Sequence, residues 1–165
     1  NGYLKSGAVG KGDGNGFKTG GSDDKLLKHN ATYTNCVAVG NVTDGFDHNS
    51  NRGEVTIYNA SAYQNGRNYS FSNTNPLAKL TLKNCDVLGD YGSTNAIITD
   101  ITNNSWQNGL TATVADFLSI DYNQLLNPRK ADGSLPDVTF FHLTPTSNLI
   151  DKGANSSHID HPISI

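Results

Sequence analysis

One lysine stands among glycines in the stretch Gly12-Asp13-Gly14-Asn15-Gly16-Phe17-Lys18-Thr19-Gly20-Gly21. Glycines on both sides let the backbone turn tightly and keep the surrounding surface low, so a bulky polymer can approach the amine. A neutral amine can abstract a proton, but an unperturbed lysine keeps its own proton up to about pH 10.4. Lys18 as a base therefore implies chemistry at alkaline pH. Taken alone, the stretch equally describes a lysine that solvates a loop.

Other polar side chains offer weaker chemistry. Arg67 can pair with a substrate carboxylate or bond turn carbonyls of its own chain. His48, next to Asp47, can touch substrate or pack at the surface. Asp13, Asp23 and Asp24 are carboxylates near Lys18 that read as loop solvation. His29, His48, His142, His158 and His161 lack a metal-ligand spacing, with His158 and His161 in an expected flexible tail. No residue of the chain is assigned as a metal ligand.

The elements that would position these groups follow from internal repetition. Ala31–Asn41, Val55–Asn65 and Leu80–Asp90 align without gaps, and the equivalent Asn35, Asn59 and Asn84 are 24 and 25 residues apart. That period suits one solenoid coil. Each unit begins with alternating apolar and polar residues, as in Glu54–Tyr58 and Lys79–Lys83, the signature of a half-buried strand. The fold class expected is all-β, a right-handed parallel β-helix of about 24 to 25 residues per coil. The aligned asparagines predict a buried ladder along the solenoid axis that satisfies turn backbone.

A second register aligns Phe17-Lys18, Phe46-Asp47 and, less closely, Phe71-Ser72. With the rings inward, the next residue points outward, so one external strip is expected to carry Lys18, Asp47 and Ser72, about 4.8 Å apart per coil. Arg67 is expected one coil beyond Asp47. Cys36 and Cys85 fall in line two coils apart with Ala60 between them, about 9.6 Å between Cα atoms, beyond disulfide reach. Two buried free thiols are expected. Residues 1–104 read as coils and 105–165 as a last irregular coil with a C-terminal cap. The opening Asn1-Gly2-Tyr3 resembles the interior stretch Asn65–Tyr69, as in a chain cut mid-repeat, so further coils are expected before residue 1.

With a net charge of -3 and no basic stripe, nucleic acid is not an expected partner, and neither is a membrane surface. A monomer is expected.

Three runs, Gly14–Gly21, Cys36–Asn49 and Ala62–Tyr69, together resemble the pectate lyases of polysaccharide lyase family 9. The segments Asp116–Asp121, Asp132–Pro136 and Leu149–Gly153 are similar to the close of the same β-helix. The resemblance covers most of the chain. It implies a secreted lyase acting on an acidic polysaccharide, with calcium as cofactor and Lys18 as the Brønsted base of a β-elimination. Calcium on the uronate carboxylate would neutralise its charge and help lower the lysine pKa. Asp47, His48 and Arg67 are the candidate substrate contacts. The family's calcium ligands lie mostly in an Asp-Asp-Gly-Phe-Asp motif one coil before the lysine, hence upstream of Asn1. Asp44-Gly45-Phe46-Asp47 echoes that motif one coil too late. Alternatives are a lyase for rhamnogalacturonan or another acidic glycan, and a non-catalytic glycan-binding β-helix. A glycoside hydrolase, which needs two facing carboxylates, ranks last.

Overall fold

Short alternating segments separated by Gly- and Asn-rich turns can bury an apolar face only by stacking on one another. The computed structural model describes residues 12–154, and in it these segments form parallel ladders. The strands are β1 (Phe17–Lys18), β2 (Ala31–Thr34), β3 (Val37–Val39), β4 (Asp44–Asp47), β5 (Glu54–Tyr58), β6 (Ser61–Tyr63), β7 (Arg67–Phe71), β8 (Lys79–Lys83), β9 (Asp86–Leu88), β10 (Gly92–Thr94) and β11 (Ile98–Thr102). Three sheets result, ordered β1-β4-β7-β10, β2-β5-β8-β11 and β3-β6-β9. Every strand pair is parallel, the arrangement of a three-sided β-helix. Asn1-Gly2-Tyr3, His158 and His161 lie outside the described residues.

Like side chains stack inside. Phe17, Phe46 and Tyr69 form a ring column with centroids 4.9 and 5.2 Å apart. Val55 lies in register with Leu80 and Ile57 with Leu82, and these four are buried. The column corrects one expectation. Phe46 pairs with Tyr69 and Asp47 with Ser70, so the outward strip runs Lys18, Asp47, Ser70, Ser93, without Ser72. Phe71 is also buried, one pleat further on. Aligning by residue type slid the register by two while keeping the inward parity.

The asparagine ladder also differs from expectation. Asn35, Asn59 and Asn84 all adopt left-handed backbone, with φ of 54, 51 and 57°, which Asn tolerates better than most residues. Asn59 Nδ2 donates to Asn35 Oδ1 at 3.2 Å, but Asn35 is exposed and Asn59 and Asn84 are half-buried. Other amides serve the buried turns. Asn41 Nδ2 donates to Asn65 Oδ1, and Asn104 Nδ2 to Leu82 O. Both cysteines are free, Cys85 buried and Cys36 half-buried, so the expectation of two buried thiols holds for one.

After β11, Trp106 stacks on Tyr91 and packs against Tyr69. The chain then runs along the flank of the helix. Tyr122 lies over Gly40, Phe141 packs on Tyr63 at 5.3 Å, and the Ala154 N–H donates to Asn84 Oδ1. Buried Asp116 ties this segment together by accepting from Thr113 N, Ser147 Oγ and Asn148 N. Among the described residues no helix is long and apolar enough to cross a membrane.

Candidate functional site

Lys18 ends β1, and its loop is fastened to the coil beside it. Asn15 bridges that coil with one amide: its Oδ1 accepts from Asp44 N at 3.1 Å and its Nδ2 donates to Asp47 Oδ2 at 3.2 Å. Gly16 N and Thr19 N donate to Asp44 O and Asp47 O, and Thr43 Oγ1 donates to Asp13 O. After the strand, the chain crosses close above Asn49. A Cβ on Gly20 would collide with the Asn49 and His48 carbonyl oxygens, and one on Gly21 would sit 2.9 Å from the Asn49 amide and 3.4 Å from Lys18 Cε. The two glycines after the lysine are therefore demanded by close approach.

The Lys18 amine has two partners. It forms an ion pair with Asp13 of its own loop, and its Nζ lies 3.1 Å from the Asn49 amide, to whose oxygen it donates once that oxygen is turned toward the loop. The Lys18 hydrogen bond and charge hold the Asp13 carboxyl below its ordinary range.

Asp47, the register partner of Lys18, is buried. Its Oδ1 accepts from Asn49 N at 2.8 Å and its Oδ2 from Asn15. Burial pushes its carboxyl above the usual value, against the hydrogen bond from Asn49. His48 is buried too, with Nδ1 3.0 Å from Ser70 O and Nε2 3.3 Å from Thr74 O. Arg67 stands in register with Asp44, not Asp47. Its Nε and Nη2 donate to the two Asp44 oxygens at 2.7 and 3.0 Å. The Arg67 side chain remains 60% exposed while Asp44 is 3% exposed, so the arginine is a lid on a buried carboxylate. Arg67 also lines an open cleft of about 240 Å³ with Tyr63, Gln64, Asn65, Leu88 and Asp90.

Lys18 and Asp47 are thus neighbours in register, the His48 ring turns toward Ser70 and Thr74, Arg67 closes over Asp44 at the start of β4, and Asn15 and Asn49 join the site unforeseen. The signal for Asn49 was in the chain: a Gly20-Gly21 pair requires something close beneath it.

The described residues do not fit a divalent cation. No three His, Cys, Asp or Glu side chains among them converge on one point. Asp13 is engaged by Lys18, Asp44 by Arg67, and Asp47 by Asn15 and Asn49.

A family model described as Pel9A-like, right handed beta helix region, matches residues 1–95. The chain belongs to this Pel9A-like β-helix family. Pectate lyase L of Dickeya chrysanthemi is 40% identical to it over 151 residues, 91% of this chain and 34% of that protein. Pectate lyase L of Paenibacillus polymyxa (strain SC2) is 34% identical over 156 residues, 89% of this chain and 33% of that protein. The crystal structure of pectate lyase Pel9A matches with a TM-score of 0.78 and 35% identity, covering 96% of this chain and 38% of that one. A rhamnogalacturonan lyase matches with a TM-score of 0.68 and 28% identity, over 88% of this chain and 40% of that one. The chain spans about a third of the length of the curated relatives it matches. As a Pel9A-like helix homologous to pectate lyases, it carries Lys18 on the outward strip of the β1-β4-β7-β10 sheet.

Proposed function

We propose that the protein carrying this chain is a secreted pectate lyase that cleaves polygalacturonate by β-elimination, with Lys18 as the base. The observation that carries this reading is the Lys18 amine on the outward strip, in a loop that Gly16, Gly20 and Gly21 allow to lie close against the neighbouring coil. The neutral amine takes the proton from C5 of a galacturonate. The electron pair forms the C4=C5 bond, the C4–O bond breaks, and the departing oxygen takes a proton from solvent. Before this, Lys18 must leave Asp13 and lose its proton.

The calcium that the resemblance implies finds no ligand set among the described residues. We assign it to carboxylates outside the described residues. Arg67, largely exposed beside the cleft, is proposed to meet a substrate carboxylate. Asp47 and His48, buried against their own coil, support the Lys18 loop. The enzyme acts as a monomer on its acidic polysaccharide. The match to a rhamnogalacturonan lyase favours a second reading in which the acidic glycan is rhamnogalacturonan.

The test is the full-length protein incubated with polygalacturonate and calcium near pH 9, a value about one unit below the lysine range, following absorbance of the unsaturated product with and without chelator. Activity that is lost in Lys18→Ala is expected. An inactive intact protein, or a fully active Lys18→Ala, overturns the reading, and activity on rhamnogalacturonan alone selects the second one.

A further inference from the structure

We propose that Asn49 is the positioning residue of the Lys18 amine, a neutral acceptor that holds it in both protonation states and leaves its lone pair directed away from the coil. This rests on Lys18 being the base.

Three observations carry it. First, only one orientation of the Asn49 amide makes bonds. With the oxygen toward the loop it accepts from Lys18 Nζ and Gly21 N, each at 3.1 Å, whereas the opposite orientation sets an NH2 against two donors. Second, the chain holds Asn49 in an uncommon backbone geometry. Asn49 and Ser50 are consecutive non-glycine residues with positive φ, 39 and 63°, a conformation that persists only where its surroundings fix it. Here buried Asp47 fixes it by accepting from Asn49 N, and Gly21 N donates to Asn49 O. Third, Gly20 and Gly21 leave room for no side chain between Asn49 and the lysine.

The two partners of Lys18 have different chemistry. Asp13 is an anion on an exposed loop, and it suits the ammonium. A neutral amine still has two N–H bonds to donate, so an amide oxygen can keep it in place after the proton and Asp13 have gone. A carboxylate at position 49 would instead hold the ammonium and oppose deprotonation. The charged groups facing the amine are Asp13 from its own loop and Asp47 from the neighbouring strand. Asp47 keeps its charge on the far side of the Asn49 N–H.

The experiment uses the full-length protein on polygalacturonate with calcium, comparing wild type, Lys18→Ala, Asn49→Gly and Asn49→Asp. Glycine retains the positive φ without the amide, and aspartate retains the shape while adding charge. Asn49→Gly should lower kcat about ten- to a hundredfold, the scale of a misplaced catalytic group, with KM within about twofold. Asn49→Asp should move the acidic limb of the kcat/KM profile up by about one pH unit. Thermal melts of each variant separate unfolding from misplacement. An inactive Lys18→Ala together with a wild-type kcat in folded Asn49→Gly, or with an unmoved limb in Asn49→Asp, overturns the positioning role alone. A fully active Lys18→Ala overturns the base assignment and the positioning role with it.

Discussion

Lys18 and Asp47 are register partners on adjacent strands, yet the Lys18 ammonium pairs with Asp13 of its own loop while both Asp47 oxygens are engaged by Asn15 and Asn49. Of these two carboxylates, the one exposed to solvent is the one on the amine. Asp13 therefore acts as a detachable counter-ion and Asp47 as a fixed support.

Replacing Asp13 by Asn removes an anion that favours the protonated amine. The acidic limb of the kcat/KM profile should then move to lower pH, and by less at high salt than at low salt, because an exposed pair is screened. A pH–rate profile at two ionic strengths checks this. An unmoved limb would show that the Lys18–Asp13 pair has no part in setting when the base is available.

Arg67 and Asp44 predict a stability effect. Asp44 is almost fully buried and its carboxylate receives both bonds from one guanidinium. Removing the arginine leaves a buried carboxylate facing water through a small opening. Arg67→Ala should cost about 1 to 3 kcal/mol, below the range for a fully buried pair because the arginine is itself largely exposed. Arg67→Lys should recover only part, since an ammonium cannot bond both oxygens in the same plane. Urea midpoints of the three proteins decide it: equal midpoints would mean the pair contributes nothing.

Much of the architecture was legible because a solenoid repeats its pattern. Glu54–Tyr58 and Lys79–Lys83 alternate openly, and they became β5 and β8 in the register their pattern implied. What failed was alignment by residue type. Phe46 found Tyr69 rather than Phe71, since an inward aromatic of either kind fills the column and parity cannot tell them apart. The asparagines misled for a related reason. Asn35, Asn59 and Asn84 align in sequence because each must turn left-handed, not because each is buried. Asn49 and Asn15 do not repeat, and their side-chain partners lie 28 to 32 residues away in the Lys18 loop and the coil beside it, so only the fold shows what they hold.

The thiols should differ in reactivity. Cys85 is buried and burial pushes its thiol up to about 12. Cys36 is half-buried and its thiol is raised too, again by burial. Since the thiolate is the reactive form, a thiol reagent near neutral pH should titrate Cys36 slowly in the native protein and Cys85 only after denaturant is added. Ala60 separates the two in the stack, leaving about 9.6 Å between Cα atoms, too far for a bridge. Mass spectrometry of the labelled native protein checks this, and equal labelling at both positions, or an internal disulfide after mild oxidation, would contradict the stacked arrangement.

Asp86 stands in register with Ser61 in the β3-β6-β9 sheet. Burial pushes its carboxyl up to about 6 from an ordinary 3.8, and the Ser61 hydroxyl works in the opposite direction. In the unfolded chain the same group ionises near its ordinary value, so between roughly pH 4 and pH 6 the folded protein binds the extra proton. Stability from this residue therefore falls as pH rises through that window and is level above it. Asp86→Asn keeps the shape and removes the titration, so the variant should gain on wild type as pH rises from about 4 to about 6 and keep the gain at neutral pH. Because Asp86 is half-buried, the water it retains tempers the effect. Melting temperatures of the two proteins across this range measure the difference directly. Parallel curves would mean that Asp86 titrates in the fold as it does in the open chain.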